Sequence, residues 1–274
     1  MNILVTVDEN YLTPLTTMLF SLYRHHPQDY LTIYLLKQAI PDHKMQAFKS
    51  AFRTLPIEII DLEVDNARFK DFPTTDRYPL AMYYRLFAAA ILPTTLDKVL
   101  YLDPDLIILR PLHDLYHIDL SGYFFAASSH VTKNLEKVNQ WRLNYEEGIY
   151  ANSGVMMLNL KEMRERQDPQ AILDFIQTHK NLLILPDQDV LSSVYAQEII
   201  EIRADLYNMT ERMYTKKSLL DSSAAQQFIQ EECCIIHYIG RNKPWKPDYF
   251  GKLDQYWHQA VGYQAGLVDG LKLN

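Results

Sequence analysis

Two short stretches carry the residue types from which a reactive site can be built. In "YLDPDLIILRPL" (101–112), Asp103 and Asp105 stand on either side of Pro104. In an extended chain both carboxylates point to one face, and the proline restricts the backbone between them. Two carboxylates converging at a strand end are costly unless a cation neutralises them. Mg2+ or Mn2+ takes oxygen ligands and keeps positions open for phosphate oxygens. The same residues also suit a hairpin turn in which Asp-Pro-Asp stops one strand and starts the next. The second stretch, "HYIGRNKPW" (237–245), follows an apolar strand. His237 is either a borderline metal ligand or a satisfied core histidine, and Trp245 can be a packing residue. Gly240 allows close backbone approach to a ligand, and Lys243 can neutralise a phosphate as a point charge. Grouped together, they read as half of a pyrophosphate cradle.

The elements that must position these residues follow from periodicity. "NILVTV" (2–7) is short, continuous and β-branched, as a buried strand should be. Leu12, Leu15, Met18, Leu19 and Leu22 then recur at helical spacing, with Pro14 in the first turn. A strand over 30–36, a helix over 41–52 and a strand over 57–62 continue an alternation that predicts a parallel sheet with crossovers. A helix over 80–92 and the strand "KVLYL" (98–102) lead into the Asp-Pro-Asp stretch. Asp8 and Asp103 thus both follow strands of one sheet, beyond whose carboxyl ends ligands collect. The first strand-to-helix turn, "VDENYL", has no glycine, so a dinucleotide fingerprint is absent. Strands over 122–128 and 154–160 flank a polar stretch, 129–148, read as irregular. Helices near 169–179 and 187–197 and a strand over 233–239 complete the pattern.

Bulk properties exclude several classes. The 274 residues suffice for one large domain, and no apolar run approaches a membrane span. A net charge of -7 disfavours a nucleic-acid scaffold, which needs clustered Lys and Arg. The N-terminus has no cation before Arg24, unlike a signal peptide, and Cys233 and Cys234 are adjacent, which disfavours a bridge between them. A soluble, cytoplasmic protein is the expectation.

Five stretches in order, "TVDENY", "YLDPDLIIL", "YANSGVMMLNL", "LPDQDVLSSVY" and "HYIGRNKPW", resemble glycosyltransferase family eight, which includes bacterial lipopolysaccharide galactosyl- and glucosyltransferases and glycogenin. The resemblance implies an α/β GT-A fold: a Rossmann-like, mostly parallel sheet with helices on both faces and a smaller C-terminal acceptor-side region. A catalytic domain over 1–250 and a helical tail over 251–274 are expected. It further implies a UDP-sugar donor, UDP-glucose or UDP-galactose, Mn2+ or Mg2+, and retention of anomeric configuration. Carried over, Asp103, Asp105 and His237 hold the metal. Asp8, Asn10 and Tyr11 bind the uridine, and Gly240 and Lys243 embrace the pyrophosphate. Thr6, Arg85, Asp103 and Ser153 contact the donor, while Asn152, Asp187 and Gln188 line the sugar, the last two as catalytic residues.

The chemistry agrees with this assignment. Breaking a sugar–phosphate bond develops negative charge on the leaving group, for which a divalent metal and Lys243 are stabilisers. Positive charge develops at the anomeric carbon, which favours nearby oxygens such as the Gln188 carbonyl. An amide is a poor nucleophile, so front-face attack by the acceptor is expected. Asp187 and Asp189 also suit the start of a helix, with Asp187 facing the site and Asp189 the helix. Family members often carry Asn where Ser192 stands and an aromatic residue at Ala151; both positions are expected near the sugar. His130 replaces an acid in the acceptor-contacting stretch, so a different acceptor is expected: a carbohydrate, lipid-linked or protein-linked glycan.

Two other classes fit the sequence less well. A sugar-nucleotide pyrophosphorylase would carry a glycine-rich, basic first loop, whereas "VDENYL" is acidic and glycine-free. A non-catalytic UDP-sugar-binding protein would not need the Asp, Asp, His set together with "DQD". A glycogenin-like self-glycosylating protein is a variant within the family. The C-terminal tail has aromatics but few cations, so it is expected to pack as a helix, leaving room only for transient contact with a membrane surface.

Overall fold

The computed structural model describes residues 1–37, 39–65, 69, 72–75, 79–145 and 148–272. Seven strands form the central sheet: β1 (Asn2–Val7), β2 (Leu31–Lys37), β3 (Ile57–Glu63), β4 (Lys98–Leu102), β6 (Phe125–Ser129), β7 (Ala151–Asn159) and β8 (Ile199–Glu201), in the order β3-β2-β1-β4-β7-β6-β8. All run parallel except β7, which is antiparallel to both β4 and β6. The order reverses at β1 and β4, which puts Asp8 and Asp103 beyond the carboxyl ends of neighbouring strands, at the switch point where such folds open a crevice.

Alternation along the strands explains the two cores. Ile3, Val5 and Val7 of β1 and Leu100 and Leu102 of β4 pack with Leu15, Met18, Leu19 and Leu22 of α1 (Leu12–His25) and Met45 and Phe48 of α2 (Asp42–Ser50). Leu4, Val99 and Tyr101 face the other way, onto α3 (Ala88–Ile91), α6 (Leu160–Arg166), α7 (Pro169–His179) and α8 (Pro186–Val194). Each such fully buried leucine contributes about 1.5–3 kcal/mol by leaving water. Helices therefore cover both faces of the sheet.

A second, two-stranded sheet makes the site. β5 (Leu106–Ile108) starts directly after Asp105 and pairs antiparallel with β9 (Ile235–His237), with Leu106 opposite His237. One register thus brings the distant histidine beside the Asp-Pro-Asp turn. Behind β9, α10 (Glu211–Leu220), α11 (Ser222–Glu231) and α12 (Asp254–Lys272) enclose a third apolar cluster around Tyr214, Ile229, Ile236 and Trp257. The tail helix α12 also touches α1, where Thr17 donates to Gln264 Oε1 at 2.9 Å. Two of the 251–274 tail residues, 273 and 274, lie outside the described residues.

Three local expectations change. The 80–92 stretch is a 3-10 helix over Leu80–Phe87 before the short α3 (Ala88–Ile91). Its three-residue period puts Pro79, Met82 and Arg85 on one edge, all lining the same cavity. The polar stretch 129–148 contains an α-helix, α5 (Lys133–Leu143), started by Thr132, whose side chain accepts from Leu135 N–H, and ended by Asn144 in the left-handed region. Residues 146 and 147 of that stretch lie outside the described residues. The last strand is only Ile235–His237 rather than 233–239, because Cys233 and Cys234 instead close the end of α11 and bond to Leu206.

Candidate active site

A cavity of about 400 Å3 opens at the carboxyl edge of β1 and β4, within the size range of a small-molecule site. Asp8 and Tyr11 line it from the turn after β1, Asp103 and Asp105 from that after β4, Arg85 and Met82 from the 3-10 helix. Asn152 and Ser153 enter from β7, Asp187 and Gln188 from the first turn of α8, His237 from the end of β9, and Gly240 and Lys243 from the segment after it.

At its floor, the ligand atoms of Asp103, Asp105 and His237 lie within 4.8 Å of one another. His237 Nε2 is 3.2 Å from Asp105 Oδ1 and 3.6 Å from Asp103 Oδ2. Asp105 is buried, and its Oδ1 has no hydrogen-bond partner, although burying an unsatisfied carboxylate oxygen is costly. Its Oδ2 accepts from Lys243 Nζ, which also donates to the Tyr238 carbonyl at 2.7 Å. Burial alone would raise the Asp105 pKa, but the Lys243 ammonium holds it well below the usual range. Two carboxylates and an imidazole, with one buried oxygen left over, form a donor set that fits Mg2+ or Mn2+.

The floor is kept open by Gly154. A Cβ there would lie 2.2 Å from His237 Cε1 and 2.8 Å from Asp103 Oδ2, so no other residue fits without displacing a member of the cluster. The same strand segment clamps Asp103 through a bond from its N–H to the Gly154 carbonyl, 2.8 Å.

Arg85 holds the opposite wall. Its Nη1 lies 3.0 Å from Asp103 Oδ1 and 3.5 Å from Asp187 Oδ2 and donates to the Ser153 carbonyl at 3.0 Å, while its guanidinium sits 4.3 Å from the centre of the Tyr101 ring. Burial disfavours its charge, yet Asp103 and the other neighbours raise its pKa overall. Thr6 shares a 2.9 Å bond with the Tyr101 hydroxyl, which donates to Asp103 Oδ1 at 2.6 Å. Ser153 donates to Asp187 Oδ2 at 2.6 Å. Burial raises the Asp187 pKa, outweighing Arg85 and Ser153.

The two aspartates of "PDQD" divide as their helix position suggests. Asp189 is fully buried and committed: it accepts from Ile184 N–H, Leu185 N–H, Tyr150 OH and the Arg142 guanidinium. Asp187 faces the cavity. Ser192 and Ala151 are away from it. Ser192 Oγ accepts from Ala151 N–H at 2.9 Å in the buried junction of α8 and β7, which corrects their expected place near the sugar.

Other expected residues are placed less directly. Asn10 is exposed on the first turn, its N–H donating to Asp8 Oδ1 at 2.8 Å, outside the cavity lining. Lys243 is turned onto Asp105, between the rings of Tyr11 and Trp245, rather than out into the cavity. Gly240 has φ +81, where a side chain would be strained. His130 lines the cavity, donates from Nε2 to the Asn208 carbonyl at 2.8 Å and leaves Nδ1 buried without a partner. Burial, above all, pushes its pKa down to about 4.

One residue went unread in the sequence. Asn208, fully buried, lies 2.7 Å from His237 Nδ1. It comes from the end of α9 (Ala204–Tyr207), where no motif or periodicity marks it.

Compared with known proteins, residues 2–248 match the model of the family described as glycosyl transferase family 8. The chain belongs to that family. Among relatives of this glycosyltransferase, the lipopolysaccharide 1,2-glucosyltransferase of Escherichia coli (strain K12) is 30% identical over 250 residues, covering 89% of this chain and 72% of that protein. General stress protein A of Bacillus subtilis (strain 168) is 26% identical over 269 residues, covering 94% and 92%. The crystal structure of galactosyltransferase LgtC with donor and acceptor sugar analogues superposes with a TM-score of 0.82 over 96% of this chain and 95% of that one, at 21% identity. That likeness shows a shared GT-A fold. This family 8 glycosyltransferase thus has its floor cluster, Arg85 wall and α8 turn around one cavity at the carboxyl edge of a GT-A sheet.

Proposed function

We propose that this glycosyltransferase is a metal-dependent, retaining hexosyltransferase that takes its sugar from a UDP-hexose, UDP-glucose or UDP-galactose. One observation carries the proposal: the buried, unpartnered Asp105 Oδ1 beside His237 Nε2 and Asp103, opening onto a cavity that Asp187 and Gln188 also line. Asp103, Asp105 and His237 would hold Mn2+ or Mg2+, which when bound offsets charge on the donor's two phosphates. Lys243 and Gly240 border the pyrophosphate, Lys243 as a further cation for the leaving group. Asp8, Asn10 and Tyr11, on the turn after β1, receive the uridine, and Thr6, Arg85 and Ser153 fix the walls around the donor.

Retention is taken from the family likeness, and its route from the side chains near the sugar. Gln188 is an amide, and Asp187 is tied to Ser153 and faces Arg85. We therefore assign front-face attack by the acceptor hydroxyl, with the Gln188 carbonyl as electrostatic support for the oxocarbenium-like carbon. Gln188 Oε1 already accepts from Asn152 at 3.4 Å, which leaves a second lone pair for that role.

The acceptor is assigned as a glycan with an apolar, lipid-linked part rather than a protein or the enzyme's own tyrosines. Leu135 borders the cavity, and it is followed on α5 by Val138 and Trp141, all exposed apolar side chains that suit contact with a membrane surface. Among the described residues no helix is long and apolar enough to cross a membrane, so that contact is peripheral, and the two free thiols fit the cytoplasmic side. The catalytic unit is residues 1–250, with 251–274 packed on it through Trp257.

The test is turnover of UDP-glucose, UDP-galactose and their N-acetyl forms with and without Mn2+. One UDP-hexose should be hydrolysed or transferred only with metal, and Asp105→Ala should lower that rate at least about 100-fold. Equal turnover after chelation, or by Asp105→Ala, contradicts the proposal.

A further inference from the structure

The hydrogen atoms around His237 can be placed from one group whose role is not negotiable. Gly154 N–H donates to Asn152 Oδ1 at 3.0 Å, so that atom is an acceptor. The atom of Asn208 that lies 2.9 Å from Asn152 Oδ1 must then be the amide nitrogen, which also donates to Ser128 Oγ at 3.0 Å. The reverse orientation would press two carbonyl oxygens together at a fully buried position. Asn208 Oδ1 is therefore the atom 2.7 Å from His237 Nδ1, and Nδ1 must carry a hydrogen to donate to it. With the single N–H of the neutral, ligand-ready imidazole held on Nδ1, Nε2 is the nitrogen left to present a lone pair on the side of Asp103 and Asp105.

The backbone makes this arrangement rigid. Met209 N–H donates to the Ile235 carbonyl at 3.0 Å, and His237 N–H donates to the Met209 carbonyl at 2.7 Å. The residue after Asn208 is thus stitched to β9 on both sides of Ile236. Asn208 cannot shift relative to His237 without breaking that pairing.

We propose that Asn208 is the positioning residue of the metal site: its amide, oriented by Gly154 through Asn152, fixes the His237 tautomer and ring angle so that Nε2 is the ligand atom. The inference rests on the metal reading of Asp103, Asp105 and His237. It makes Asn152 more than a sugar contact, because one chain of amides runs from Gln188 through Asn152 and Asn208 to the metal ligand. Partners that orient a ligating histidine are worth about 10–100-fold in metal affinity.

The experiment measures Mn2+ affinity without turnover, from the paramagnetic resonance signal of free Mn2+ during titration of the full chain. Asn208→Leu, near in size but with no acceptor, should weaken binding by about 10–100-fold. Asn208→Asp keeps the acceptor for Nδ1–H but sets an oxygen against Asn152 Oδ1, so it should lose some affinity and clearly less than Asn208→Leu. Unaltered binding by Asn208→Leu, or equal losses in both variants, overturns the role of Asn208. Asp105→Ala in the same titration separates the two readings. If it binds Mn2+ like the unaltered protein, or if the unaltered protein binds none, the metal site itself fails and the inference with it. Should Asn208→Leu not fold, 15N spectra of the unaltered, Mg2+-loaded protein decide: a proton on Nδ1 and none on Nε2 of His237 is expected, and a proton on Nε2 overturns the proposal.

Discussion

Among the described residues two clusters bring an imidazole, or two, near carboxylate oxygens with ligand atoms within 4.8 Å, and their hydrogen bonding differs. At His26, Asp29 and His113 both ring nitrogens of the buried His26 are committed. Leu112 N–H donates to His26 Nε2 at 3.0 Å, which forces the hydrogen onto Nδ1, and Nδ1 donates to Asp29 Oδ2 at 2.7 Å. His113 Nε2 lies 2.7 Å from the same oxygen. Binding a cation there would require removing a hydrogen that the backbone has placed. At Asp103, Asp105 and His237 the Asn208 side chain does the opposite: its amide oxygen takes a hydrogen from the far nitrogen, Nδ1, while Asp105 Oδ1 has no hydrogen-bond partner. Proximity of ligand types is thus weaker evidence than the direction in which their lone pairs point.

The largest effect that sharpens this contrast should come from a single methyl group. Gly154→Ala puts a carbon into the space of His237 Cε1 and Asp103 Oδ2, and neither has an easy retreat, since Asn208 and Arg85 hold them. Mn2+ affinity should fall about 10–100-fold, as expected when ligand orientation is lost, while the metal-free protein loses about 1–3 kcal/mol of stability to overpacking. Calorimetric titration checks the first and thermal unfolding the second. Unchanged Mn2+ affinity would mean that the cluster tolerates displacement and is not a tuned site.

How much of this was legible beforehand differs by link. The alternating βαβ pattern, the parallel sheet and the switch point follow from hydrophobic periodicity, because each strand buries both faces and each helix one. The Asp-Pro-Asp turn was open to two readings by itself. It is in fact both: a turn between β4 and β5, and the floor of the cavity. What resolves it is the β5–β9 register, a contact between segments about 130 residues apart that no local pattern encodes. Asn208 was invisible for the same reason, as its role comes from three bonds to distant residues. The helix α5 was missed because its exposed face carries Leu135, Val138 and Trp141 while its buried side includes Asn139, the reverse of the usual amphipathic code. The 3-10 geometry of Leu80–Phe87 was hidden by an apolar pattern equally suited to an α-helix.

The saturated cluster should show itself through pH rather than metal. Burial, above all, keeps the His26 pKa below 6.5, against the pull of Asp29. The unfolded chain then takes up the proton first, so the His26 contribution is complete above about pH 6.5 and is lost progressively as pH falls. Burial would raise the Asp29 pKa, but its bonds from His26 and His113 bring it below 3.8. Its contribution is complete above about pH 4 and disappears as pH drops through the folded value. Asp29→Asn should therefore cost about 1 kcal/mol at pH 7, as for one partly exposed charged hydrogen bond, and flatten the acid limb of stability below pH 4. Denaturant unfolding across pH checks this. Metal-dependent turnover should stay within about twofold of the unaltered protein, since Asp29 does not line the cavity. A large loss of turnover in Asp29→Asn would erase the distinction between the clusters.

The most direct measurement is anomalous diffraction from crystals soaked in Mn2+ with UDP. One strong peak bounded by Asp103 and Asp105 carboxylate oxygens and His237 Nε2, with none at His26, Asp29 and His113, is the expected result. No peak at the cavity floor, or a peak at the His26 cluster alone, would contradict it.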